Sequence, residues 1–74
     1  MHNISKETLA HLREEYPAGA RVELISMDDP YNTRLTPGAK GIVISVDDMG
    51  TIHVRWDCGS SLGVVYGVDQ CKLL

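Results

Sequence analysis

Hydrophobic and polar positions alternate twice around one short acidic turn. In Gly41–Val46, the apolar residues Ile42, Ile44 and Val46 alternate with Val43 and Ser45. In Thr51–Trp56, Ile52, Val54 and Trp56 alternate with Thr51, His53 and Arg55. Period two on both sides of Asp47-Asp48-Met49-Gly50 predicts a β-hairpin with one buried face. Gly50 supplies the positive φ that a short hairpin loop needs, and Asp47 or Asp48 can bond its own backbone there. The alternation predicts Ile42, Ile44, Val46, Ile52, Val54 and Trp56 as the most buried side chains. Asp57 then shapes the next turn, Asp57-Cys58-Gly59-Ser60, by accepting the backbone N–H of Gly59 or Ser60.

The flanking segments read less regularly. Asn3–Tyr16 is a short amphipathic helix with Ser5 as N-cap and Glu7 at the positive end of the dipole. Ile4 and Leu9 sit at staple spacing, and Leu9, Leu12 and Tyr16 form a narrow apolar stripe. Pro17 and Gly19 stop the helix, which docks on the β unit rather than forming its centre. Arg21–Ile25 is a strand with Val22 and Leu24 on one face. Ser26–Lys40 is too long for a simple turn and contains Pro37-Gly38, which suits the centre of a type II turn. Leu62–Val65 is a short strand, Tyr66-Gly67-Val68-Asp69 a single turn, and Cys71–Leu74 a last strand. The expected architecture is mostly β: a five-stranded SH3-like barrel over residues 18–74, with the helix of residues 1–17 appended. Closing the sheet removes edges that so short a chain could not otherwise protect.

Seventy-four residues make one domain with a thin core. A hydrophobic fraction of 43% is enough to build that core and excludes wholesale disorder. A net charge of −3 without any basic run argues against a nucleic-acid partner. No apolar run reaches the length of a membrane span, and the start of the chain lacks the pattern of a signal peptide. The expected location is cytoplasmic, with Cys58 and Cys71 as free thiols.

Several short motifs occur in order: Arg21-Val22-Glu23-Leu24-Ile25, Asp28-Asp29-Pro30-Tyr31, Pro37-Gly38, Gly41, Asp47–Gly50 and Trp56-Asp57 followed by Gly59-Ser60-Ser61. From about Ala18 onward, the chain resembles a family of small bacterial and mobile-element proteins classed only as a domain of unknown function. That resemblance implies an SH3-like barrel in bacteria, their phages or plasmids, and no activity. Val54-Arg55-Trp56-Asp57, Gly59, Tyr66-Gly67 and Asp69–Leu74 are also similar to the substrate-recognition domain of Mind-bomb-type ubiquitin ligases. This second resemblance implies the fold and peptide binding in general. The chain departs from it in the loop before the hairpin and in lacking an Arg after Tyr66.

No catalytic constellation can be assembled, so an enzyme is not expected. His2, His11, His53, Cys58 and Cys71 are the soft metal ligands, and none forms a CxxC or HxxxH pair. No metal or other cofactor is expected, and His53 reads as a solvated strand residue. Cys58 beside Asp57 lacks an electropositive setting and reads as turn filler. The acidic pairs Asp28-Asp29 and Asp47-Asp48 are turn formers.

Tyr31 on the long loop and Tyr66 on the helical turn lie side by side in an SH3-like barrel. With Asp28 and Asp29 they form an acidic, aromatic-walled groove for a peptide with basic flanks. Alternatively, Tyr66 packs under the loop and Tyr31 shields a core edge.

The leading expectation is a non-catalytic protein-interaction module, as an accessory protein of a phage or plasmid, binding a protein or peptide through Asp28, Asp29, Tyr31 and Tyr66. One alternative is a nucleic-acid-associated barrel, favoured if Arg21, Arg34, Lys40, Arg55 and Lys72 cluster in space. Another is an acidic decoy of a host nucleic-acid-binding defence protein.

Overall fold

A computed structural model describes residues 4–28 and 35–74. Helix α1 spans Lys6–Glu15, and the strands are β1 Arg21–Ser26, β2 Lys40–Val46, β3 Thr51–Trp56, β4 Val64–Val65 and β5 Gln70–Leu73. They form one antiparallel sheet in the order β4-β3-β2-β1-β5. The last strand pairs with β1. The sheet nevertheless stays open, with β4 and β5 as its two edges. No described helix is long and apolar enough to cross a membrane.

Local signals in the sequence account for the helix and turns. The Ser5 hydroxyl accepts the Thr8 N–H at 3.1 Å, capping α1. The Tyr16 N–H returns to the Leu12 carbonyl and ends the helix before Pro17. Thr36-Pro37-Gly38-Ala39 closes through Ala39 N–H to the Thr36 carbonyl, with Gly38 at φ +94°, as the Pro-Gly pair predicts. At the hairpin tip, Asp47 Oδ1 accepts the N–H groups of Met49 and Thr51 at 3.0 and 2.9 Å. Gly50 takes φ +83°.

The core is made by Val22 and Leu24 of β1, Val43 of β2, Ile52, Val54 and Trp56 of β3, and Val64 of β4. Leu12 and Tyr16 press onto it from α1, and Leu35 enters from the end of the long loop. Trp56 is 2% exposed, and its Nε1–H donates to the Leu62 carbonyl at 2.8 Å. Its ring also explains Gly41: a Cβ there would lie 2.9 Å from Trp56 Cε3 and 2.8 Å from the Arg55 carbonyl oxygen. Gly41 is the gap into which the β3 side chains pack.

That gap fixes the inward face of β2 and corrects the expected core. Gly41 and Val43 point inward, so Ile42 is half-buried and Ile44 is 54% exposed. The register then slips between Val43 and Ser45. This bulge carries Val46 only partly into the core, where it packs against the buried cluster. Ile52, Val54 and Trp56 are buried as the alternation predicts. Ile4, Leu12 and Tyr16 do the helix's docking, and Leu9 is half-buried.

Two other expectations change. The Asp57 carboxylate does not serve its own turn. It holds the Arg21 guanidinium in a two-pronged bond of 2.9 and 2.7 Å, and the turn closes through Gly59 N–H to the Trp56 carbonyl. The Arg21 hydrogen bonds keep the Asp57 carboxyl below the usual carboxylate range, and the same bonds raise Arg21. His53 is not simply solvated, because its Nε2 sits 2.9 Å from Asp47 Oδ2.

Two outcomes follow from this packing. Trp56→Ala costs about 3–5 kcal/mol and leaves so small a domain largely unfolded, whereas Ile44→Ala shifts the urea midpoint little. Equal midpoints for the two variants contradict the assignment of faces. Asp47 is held below the ordinary carboxylate range, first by the Thr51 N–H and next by His53. A lowered folded-state pKa stabilises above the unfolded value, near 3.9, and that stability is lost as pH falls through the folded value. Asp47→Asn therefore flattens the loss of melting temperature below about pH 4; an unchanged acid limb contradicts the role.

Candidate functional site

The open seam of the sheet forms the site. β4 leads through the turn Tyr66-Gly67-Val68-Asp69 into β5, so this turn bridges the two edges. Val68 and Asp69 both return their N–H groups to the Val65 carbonyl, at 3.1 and 2.9 Å. Asp69 is 9% exposed, and its carboxylate faces inward. Oδ2 accepts the Val65 N–H at 3.0 Å, and Oδ1 accepts the Asp28 N–H at 2.8 Å. One buried carboxylate thus ties β4 to the chain leaving β1, three strands away in the sheet order.

The free edge of β5 is closed from the other side. Leu24 gives its N–H to Ala39 and receives the Gly38 N–H on its carbonyl, so its backbone groups face β2. Its partner Cys71 therefore sits in a pair without mutual hydrogen bonds, and the Cys71 carbonyl points outward. The Tyr16 hydroxyl donates to that carbonyl at 3.3 Å. Burial, followed by the proximity of Cys71 and Glu15, pushes the Tyr16 phenol well above its ordinary pKa. Burial likewise raises the Cys71 thiol. Both groups stay protonated at neutral pH, so Tyr16 serves as a donor and Cys71 as an unreactive wall.

Between α1, the end of β1 and the turn lies a pocket of about 450 Å³. Leu12, Tyr16 and Ile52 line its inner part, with Ile25, Tyr66 and Glu15 also on its wall. Ile25 is 44% and Tyr66 49% exposed. The charged residues of the lining are Glu15 and Asp69, both acidic. Gly50 permits this arrangement. Its carbonyl accepts the Tyr66 N–H at 3.3 Å, and a Cβ there would meet Ile4 Cδ1 at 2.7 Å and Tyr66 Cβ at 3.4 Å. A side chain at residue 50 would press on Ile4 and Tyr66, and the φ of +83° there favours glycine.

Among the residues singled out from the sequence, Tyr66 borders the groove and is half exposed. Asp28 is exposed and tied to the turn through its own N–H. Asp29 and Tyr31 lie outside the described residues. The sequence reading missed Glu15, Tyr16, Ile25 and Asp69 as parts of this site. In the sequence, Glu15 and Tyr16 are marked only as the end of a docking helix. Asp69 was read as turn residue rather than anchor; its place four residues after Val65, in a turn without a Pro, is the available signal.

Among the described residues, no group of three or more His, Cys, Asp or Glu side chains could hold a metal ion. Cys58 and Cys71 are free thiols. The chemistry of the groove is apolar contact, a phenol and carboxylates.

No curated protein and no solved structure matches the chain. Residues 5–74 match the domain of unknown function DUF4314, and the chain belongs to that family.

Proposed function

We propose that the chain is a non-catalytic protein-interaction module that holds an extended peptide in the groove beside Tyr66. The observation carrying this reading is an apolar pocket whose exposed ring and aliphatic wall stand beside acidic groups, with no cation among the described residues of its lining. Rings such as Tyr66 offer contact area at low entropic cost, and carboxylates beside them select a basic segment. Asp28 and its sequence neighbours Asp29 and Tyr31 belong to the same proposed surface.

The five antiparallel strands, their lengths and the turn between the edge strands support reading the fold as an SH3-like barrel left open at one seam. The motif resemblance of Gly50–Leu74 to Mind-bomb-type substrate-recognition domains, read from the sequence, is in keeping with peptide binding. A role in the cytoplasm of bacteria, as an accessory protein of a mobile element, completes the proposal.

The rival nucleic-acid reading draws on a real clustering. Arg21, Lys40, Arg55 and Lys72 share the outer face of the sheet; Arg34 is outside the described residues. Arg21 is bound to Asp57, and Lys72 stands 4.0 Å from Glu23. Lys40 and Arg55 make no ion pair among the described residues, although Lys40 acts on the Asp57 carboxylate; two such cations give a salt slope of only about −2, against phosphate contacts numbering about six to ten in strong binders. The same counting disfavours the acidic-decoy reading, since the acids are divided between the groove, the hairpin tip and the cationic face.

Selection from a random-peptide library tests the proposal. Enriched peptides are expected to pair apolar residues with Lys or Arg. Tyr66→Ala and Tyr31→Ala should weaken them by about tenfold or more with little change in melting temperature. Glu15→Gln should weaken them more at low than at high salt. Peptides that bind the Tyr66→Ala protein as tightly as the parent refute the groove as the binding site.

A further inference from the structure

The side of the sheet facing away from the helix carries a second, oppositely charged pattern. Residues opposite each other in neighbouring strands share a face, so the register writes this surface directly. One row runs Lys72, Glu23, Lys40 across β5, β1 and β2. The next runs Arg21, Ile42, Arg55 across β1, β2 and β3. Asp57 continues β3 beside Lys40, its N–H on the Lys40 carbonyl at 2.8 Å. Four of the chain's seven Lys and Arg residues therefore meet two carboxylates on a surface of a protein whose net charge is −3.

We propose that this face is a docking surface for an acidic, extended segment of a partner protein that carries aliphatic side chains between its carboxylates. Lys40 and Arg55 are the cations on it without an ion pair among the described residues. They sit diagonally across β2 and β3, roughly 7–8 Å apart along the backbone and somewhat less at their Cβ atoms. Carboxylates at alternate positions of an extended segment are spaced by roughly 7 Å and match that pair.

Ile42 lies between Arg21 and Arg55 in its row, and Ile44, the exposed residue of the β2 bulge, extends the apolar strip. A peptide's aliphatic side chains gain from covering that strip, whereas a phosphodiester backbone gains nothing from it. The ring on this face that a base could stack on, that of His53 two residues before Arg55, is held at 2.9 Å by the Asp47 carboxylate, which repels phosphates. Glu23 and Asp57 also repel phosphates. These features select an acidic protein segment over a nucleic acid.

The test uses the full chain and a fluorescein-labelled peptide whose centre alternates Glu and Ile, with a Gln-for-Glu twin and a short DNA duplex as comparison probes. Fluorescence anisotropy is read at low and high salt. The acidic peptide is expected to bind saturably and more weakly at high salt, and the Gln twin at least about tenfold more weakly. Lys40→Glu/Arg55→Glu should abolish binding and Lys40→Gln/Arg55→Gln should reduce it, each with the parent's circular dichroism. Tyr66→Ala should leave it unchanged, which separates this face from the groove. Three results overturn the proposal: equal binding to the charge-reversed protein, tighter binding of the duplex than of the acidic peptide, or self-association of the chain that the charge reversal abolishes. The last would make a second copy the occupant.

Discussion

The buried carboxylate of Asp69 is the constraint on which the rest depends. A five-stranded sheet of this size must either close or leave two edges facing each other. Here β4 and β5 do not pair, and the seam is bridged by side chains. Asp69 joins Val65 of β4 to the exit of β1 at Asp28, while Tyr16 covers the outward carbonyl of Cys71. A fully buried N–H left without its partner costs about 1–3 kcal/mol; the two that Asp69 satisfies are part-buried and lie toward the low end of that range. That is a large share of the stability available to a domain of this length. The same bonds set the width of the groove, since they hold the turn carrying Tyr66 against the start of the long loop.

An open seam propped by polar groups has a functional consequence. A fully paired barrel would fill the seam with backbone ladder. The bridged seam leaves an apolar recess with acids beside it and a half-exposed ring at its margin. On the opposite side of the sheet the cations collect, because β1, β2, β3 and β5 each place their polar residues outward. The net charge of −3 averages over these two surfaces and describes neither. Bulk charge is a weak guide to partners when the topology sorts charges by face.

Much of the fold was legible in the sequence. The hairpin, its Asp47–Gly50 turn, the Pro37-Gly38 turn, the Ser5 cap and the inward face of β3 all follow from local patterns. The inward face of β2 does not. Ile42, Val43 and Ile44 are consecutive apolar residues, so either alternation is allowed, and the choice is made by Gly41 lying under the Trp56 ring. Bulges are decided by pairing across strands and leave no mark in the periodicity of one strand. The Arg21–Asp57 pair and the Asp69 clamp each join residues far apart in sequence. Tyr66 could be picked out because the expected strand order sets its turn beside the long loop. Glu15 and Ile25 could not, since their part in the groove depends on where the helix docks.

The central claim, that Asp69 holds the seam, is tested most directly by amide hydrogen exchange in Asp69→Asn and Asp69→Ala. The amide carries one acceptor oxygen and the methyl none, so the two variants remove the clamp in steps. The Asp28 and Val65 N–H groups are predicted to lose protection by at least about tenfold more than those of Val43 and Trp56, and more in Asp69→Ala than in Asp69→Asn. If Asp28 and Val65 keep their protection relative to Val43 and Trp56 in both variants, the seam is held by something else and the account is wrong.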